Sequence, residues 1–169
     1  MKYISRSIDK TLEEWKESTT HKPLLLRGAR QVGKSSAVRH LGTQFKYFAE
    51  VNFESAKSIA TFFKGDLDVK LISSKISNYI QVPIIPGQTL LFLDEIQACP
   101  EAIMALRFFK EDYPELHVIA AGSLLEFALQ SLPTFGVGRI HSVFMYPMTF
   151  DEFLVAMDMG GLLAMRREA

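Results

Sequence analysis

The octapeptide Gly28-Ala29-Arg30-Gln31-Val32-Gly33-Lys34-Ser35 restricts this chain more than any other stretch, because it satisfies G-x-x-x-x-G-K-[ST] in full. Its glycines let the backbone curl with N–H groups aimed at anionic oxygens, where side chains would obstruct. Such a loop works only between a strand that ends at the first glycine and a helix that starts near the lysine. Both flanks comply. Leu24-Leu25-Leu26 is a short apolar run that reads as a buried strand, and helical spacing resumes after Lys34 until Gly42 supplies a stop. In that setting Lys34 neutralises β/γ-phosphates, and the Ser35 hydroxyl ligates Mg²⁺. The loop and Ser36, the next residue, form a candidate cradle for a nucleotide phosphate chain. Arg30 and Gln31 occupy its variable positions, where side chains are expected in solvent.

Short apolar strands and amphipathic helices alternate along the rest of the chain. Ile8, Leu12 and Trp15 recur at helical spacing, and Thr11 with Glu14 adds capping chemistry, so a helix is expected over 7–17. A strand is expected over 45–53, then helices over 55–64 and 67–80, the second with Ile72, Ile76 and Tyr79 on one face. Ile59, Phe62 and Phe63 have the spacing of packing residues. Pro83, Pro86 and Gly87 mark a loop before a strand over 90–93. Pro100 suits the first turn of a helix whose inner face carries Ile103, Leu106 and Phe109. A strand over 118–121, a helix over 124–129 and a strand over 140–145 follow. Thr149 and Glu152 then form a capping-box pattern ahead of a last helix. Five apolar strands interleaved with helices predict an α/β fold, a parallel sheet covered on both faces. Without repeats or a Gly/Ser linker, the 169 residues read as a single domain.

Leu90-Leu91-Phe92-Leu93-Asp94-Glu95 is an apolar strand that ends in two adjacent carboxylates. In an open parallel sheet the carboxyl end of a strand faces the ligand crevice. Asp94 is therefore a candidate to hold the hydration shell of Mg²⁺, and Glu95 to polarise a water toward a γ-phosphate. Strand alternation predicts that the two side chains point differently. No marker of an acceptor site or of a base aimed at an acceptor is recognisable. The pattern therefore favours hydrolysis over phosphoryl transfer to a small molecule.

Charge adds a constraint. With 19 basic and 19 acidic residues the formal net charge is zero, which removes bulk electrostatic attraction to nucleic acid or an anionic membrane. No run of about 18 apolar residues is present, and MKYISRSIDK lacks a signal-peptide core, so no membrane partner is expected. The one cysteine, Cys99, fits a reducing, cytoplasmic setting and a core position better than a nucleophile's. His21, His40, His117 and His141 lack metal-ligand spacing.

The strings LLLRGARQVGKSSAVRHL, VNFE, LLFLDEIQACPEAIMALRFFKED, HVIAAGSLLEFAL, GVGRI and MYPMTFDEFL together resemble prokaryotic AAA+ ATPases of the AAA_14 type, often found with a DUF4143 C-terminal domain. The resemblance runs from about Tyr3 to Leu154. It implies a three-layer P-loop NTPase fold of the AAA+/ASCE type, with strand order 5-1-4-3-2 and ATP with Mg²⁺ as ligand. By this resemblance Gly28, Gly33, Lys34 and Ser35 match the phosphate loop, Asp94 the metal-associated acid and Glu95 the water-activating base. Ser123 falls where such ATPases carry a γ-phosphate sensor, although it also suits a helix N-cap. Asn52 falls where relatives hold the catalytic Glu in an off position, although a strand-end Asn also satisfies its own backbone. Arg139 falls where an arginine reaches a neighbouring subunit's γ-phosphate, which implies homo-oligomers; a surface arginine is the alternative. The core is expected over about 20–147, with 148–169 as the start of a lid or C-terminal region. Family members continue further, so a protein or DNA partner is implied through that region. Met145, Met148, Phe150, Phe153 and Leu154 are expected as apolar surface. A nucleotide-dependent switch with little turnover is the alternative to hydrolysis, and a small-molecule kinase is a weaker one.

Overall fold

Five strands pair side by side in the computed structural model, which describes residues 2–132 and 138–169. They are β1 (Leu24–Arg27), β2 (Tyr47–Asn52), β3 (Thr89–Asp94), β4 (His117–Gly122) and β5 (His141–Phe144). All pairings are parallel, and the order is β2-β3-β4-β1-β5. Read from the other edge, this is the expected 5-1-4-3-2.

Side chains alternate across a strand, so each apolar run feeds two cores at once. Leu24, Leu26, Leu90, Phe92, Ile119 and Ala121 pack on one face beneath α1 (Ile8–Glu17) and α2 (Lys34–Gly42). Leu25, Val51, Leu91, Leu93, Val118 and Ala120 pack on the other. There they meet α4 (Val69–Ile80) and α5 (Pro100–Asp112). Leu24, Leu25 and Leu26 are each fully buried, which at about 2 kcal/mol per leucine makes β1 a strong anchor for the loop that follows.

Local chemistry sets the helix ends. Asp68 caps α4 by accepting from the Leu71 N–H at 3.1 Å. Pro100 opens α5. The Thr149/Glu152 capping box forms in both directions at the start of α7 (Phe150–Ala156). A further helix, α8 (Gly160–Glu168), follows.

Several expectations change. The segment 55–64 is a single turn, α3 (Lys57–Ala60), continued as a 3₁₀ turn, Thr61–Phe63. β2 starts only at Tyr47, because Gln44 and Phe45 donate back to Leu41 and Gly42 and close α2. Tyr79 leaves the buried face of α4: it is 55% exposed, edge-on to Phe62, and its hydroxyl accepts from Ser58. Met145 and Leu154 are buried, whereas Met148, Phe150 and Phe153 are exposed as expected. Cys99 is a buried core thiol, and burial pushes its pKa up to about 11. No helix among the described residues is long and apolar enough to cross a membrane.

Candidate nucleotide site

Register brings the chemistry to one edge of the sheet. Arg27 pairs with Gly122 and Asn52 with Asp94, so the loop after β1, the acids after β3 and Ser123 after β4 emerge together. Gly28 has φ +149°, and a Cβ there would run into the Met145 carbonyl. Gly33, at φ +101°, is the N-cap of α2 and has no side chain to satisfy the first-turn N–H groups. Unpaired N–H groups and the dipole at such a helix start can hold an anion.

Lys34 is buried, and its ammonium donates to the carbonyls of Gly28 at 2.9 Å and Ala29 at 2.6 Å. Burial lowers its pKa, while Glu95 and Asp94 oppose the shift. At the second position of α2, the Ser35 hydroxyl donates to Asp94 Oδ2 at 2.7 Å, tying the helix to the end of β3. Asp94 Oδ1 accepts from the Glu95 N–H at 2.9 Å. Burial raises the Asp94 pKa against those two hydrogen bonds.

Glu95 stands one residue past the end of β3. It leaves the strand at φ +51°, and its side chain lines the same crevice as Lys34 and Ser35. The crevice is a cavity of about 430 Å³ that also includes Gln31, Gly33, Ser36 and Ser123. Arg30 and Glu54 flank it in an exposed pair at 3.8 Å. Ser123 is 3% exposed, and its hydroxyl has no hydrogen-bond partner among the described residues. It is not the helix N-cap: α6 (Leu125–Gln130) is preceded by Leu124 at φ +54°, with no side-chain cap. An orphaned buried hydroxyl, a buried ammonium, an uncapped helix start and paired serine and carboxylate oxygens fit a phosphate chain and a hard cation.

Arg139 sits apart from this cluster, whereas Asn52 stands beside Asp94 in the sheet but turns its side chain to its own chain. Asn52 Oδ1 accepts from Glu54 N at 2.9 Å and Ser55 N at 3.3 Å, so the residue closes its own turn. Arg139 is half-exposed and pairs with Glu111 at 2.7 Å. It lies beyond the amino end of β5, where His141 pairs with Leu24. The four residues of β1 separate it from its own phosphate loop by about 13 Å or more. Gly136 and Val137 of the GVGRI string lie outside the described residues.

Two groups escaped the sequence reading. A second cavity of about 530 Å³ shares Gln31, Gly33 and Ser36 with the first and is walled by Tyr3 and His40. Those two rings stack at 3.9 Å and 10°. Beside it, Arg6 Nη1 donates to the Val32 carbonyl at 2.7 Å and Nη2 to that of Tyr146 at 3.0 Å. Its Nε lies 3.3 Å from Glu152 Oε1, an ion pair without hydrogen-bond direction. No local spacing signals contacts between residues this far apart in sequence.

Comparison with known proteins agrees with the fold. The structure of the Aeropyrum pernix Orc1 protein in complex with DNA is similar, with a TM-score of 0.54 and 16% identity over 94% of this chain. The chain spans 47% of that protein's length. No curated protein matches it in sequence. The family model described as an AAA domain, AAA_14, matches residues 20–154. The chain therefore belongs to the AAA_14 family of AAA domains, and with it to the ATP-binding AAA+ superfamily.

Proposed function

We propose that this chain is a Mg²⁺-dependent ATPase that releases ADP and phosphate. The observation that carries the reading is the 2.7 Å contact between Ser35 and Asp94, which brings a hydroxyl and a carboxylate to one point beside the buried ammonium of Lys34. Mg²⁺ held by these two oxygens would neutralise charge on the β- and γ-phosphates. The first-turn N–H groups of α2 and Lys34 bind the phosphate chain, with Gly28, Ala29, Arg30, Gln31, Val32, Gly33 and Ser36 shaping the loop. The second cavity, beside the Tyr3–His40 stack, takes the base. Glu95 accepts a proton from water as its oxygen attacks the γ-phosphorus and the bond to the ADP oxygen breaks. The Ser123 hydroxyl donates to a γ-phosphate oxygen. Arg139 serves a neighbouring chain's γ-phosphate after exchanging Glu111, because its own loop is out of reach.

Calorimetry of Mg-ATP binding, with phosphate release followed on the same sample, tests the reading. Lys34→Ala should lose binding, and Glu95→Gln should bind but release no phosphate. Wild-type protein that binds no ATP would refute the site.

A switch is the second reading, favoured by one contact: Arg6 joins the phosphate loop to α7 through Glu152. Under it, nucleotide occupancy would alter association with a protein or DNA partner, and wild-type turnover would be negligible. DNA is the ligand named for the Orc1 structure.

A further inference from the structure

Glu95 can act as a base only if its carboxylate is held, and a glutamate on a loop is not held by default. The resemblance assigns such control to Asn52, whose Oδ1 is engaged by the Glu54 and Ser55 N–H groups. A different residue touches the carboxylate. Gln97 Nε2 donates to Glu95 Oε2 at 2.5 Å.

That contact depends on an unusual backbone. Side chains two apart on a helix do not face each other. Here the left-handed step at Glu95, φ +51°, leads directly into the 3₁₀ turn Ile96–Ala98, closed by the Ala98 N–H donating to the Glu95 carbonyl at 3.1 Å. The turn is pinned in the core on both sides by Ile96 and Cys99, 0% and 1% exposed. Residue 97 therefore has little freedom to move away. Its other amide atom, Oε1, is buried without a hydrogen-bond partner and lies against Gly122, where a Cβ would collide with it. The Gln97 side chain thus spans the end of β3 and the end of β4, immediately before Ser123. An orphaned carbonyl oxygen in such a place costs stability, which the bond from Nε2 to the Glu95 carboxylate offsets in part.

We infer that Gln97 is the positioning residue for Glu95, its amide holding Oε2 so that Oε1 is left for the attacking water. This rests on the hydrolysis reading. Gln97 does not line the crevice; it acts through Glu95. Its lack of charge matters, since a lysine there would pair with the carboxylate and compete for its proton-accepting role.

The test uses the full chain. Gln97→Met keeps the volume and removes the donor. Its kcat should fall about tenfold or more, since the lost bond is to a charged group, while KM and the ATP Kd stay within about twofold of wild type. The double variant Glu95→Ala/Gln97→Met should be no slower than Glu95→Ala alone, because residues acting as a unit are not additive. An activity-independent readout is the Gln97 side-chain amide resonance in nucleotide-free protein. One proton should lie downfield in wild type and move back in Glu95→Ala. Unchanged kcat in Gln97→Met, additive losses, or an amide resonance indifferent to Glu95→Ala would each overturn the inference while leaving hydrolysis intact. Wild-type protein that binds ATP without releasing phosphate sinks the hydrolysis reading and the catalytic role together, while the amide resonance still decides the contact. If Gln97→Met does not fold, Gln97→Asn, one methylene short, carries the same expectations.

Discussion

Glu152→Gln isolates the contact that joins the two ends of the described chain. Glu152 Oε1 accepts from the Ser7 N–H at 2.7 Å and the Ser7 hydroxyl at 2.9 Å, and Oε2 from the Thr149 N–H at 2.7 Å. Burial raises its pKa, but these donors and the neighbouring Arg6 outweigh it and bring the group from an ordinary 4.5 to about 2. A carboxylate with a depressed folded pKa stabilises the fold fully above its unfolded pKa and loses that stabilisation as pH falls through the folded value. The contribution at pH 7 is at most about 3 kcal/mol, and about 2 kcal/mol once solvent at this edge of the fold is allowed for. Thermal unfolding of wild type and Glu152→Gln at pH 7 should differ by roughly 4–8 °C for a chain of this size. The gap should close between pH 4.5 and pH 2, where the wild-type carboxyl takes up its proton. A gap of constant size across that range would refute the electrostatic argument and assign the loss to packing. No gap at pH 7 would refute the contact itself.

Gly28→Ala should lower stability by about 2 kcal/mol or more, because an L side chain is strained at φ +149° and its Cβ meets the Met145 carbonyl. Denaturant unfolding checks this, and wild-type stability would refute it. Ser123→Ala should stabilise the nucleotide-free chain by about 1 kcal/mol through loss of an orphaned hydroxyl. The same variant should lower kcat, so equal effects on both measurements would contradict the sensor role. Turnover per chain should rise with protein concentration in wild type and not in Arg139→Ala; a concentration-independent wild type would leave Arg139 as a surface partner of Glu111.

The legible parts of this protein share a physical property: their signals are local. The phosphate loop follows from glycine's backbone freedom between a strand and a helix, and the observed φ values at Gly28 and Gly33 lie where side chains are strained. The strands at 90–93 and 118–121 were readable as apolar runs because a parallel sheet buries both faces. Tyr79 misled because helical spacing says which residues align, not how far the opposing core extends. Glu95 lies one residue past the strand's end at φ +51°, so the turn that follows, not strand alternation, sets its direction. The strand order came only with the family resemblance, since no periodicity encodes which strand lies beside which.

Glu152 marks the boundary between the two kinds of information. Its place in a capping box with Thr149 is written in four consecutive residues, because a helix start is closed by groups three positions apart. That the same carboxylate also receives Ser7 and faces Arg6 depends on where α7 lies against the amino-terminal segment, 145 residues away in sequence. Likewise, DEIQ shows Gln97 near Glu95 along the chain, but only the left-handed turn and its two buried anchors fold one amide onto the other's carboxylate. The five strands, the Thr149/Glu152 cap and the glycine loop after β1 are legible in the residues alone, because backbone preference and burial act over a few residues. The tertiary structure decided which side chains hold the acid and which tie the loop to α7, because those contacts exist only once the sheet has assembled.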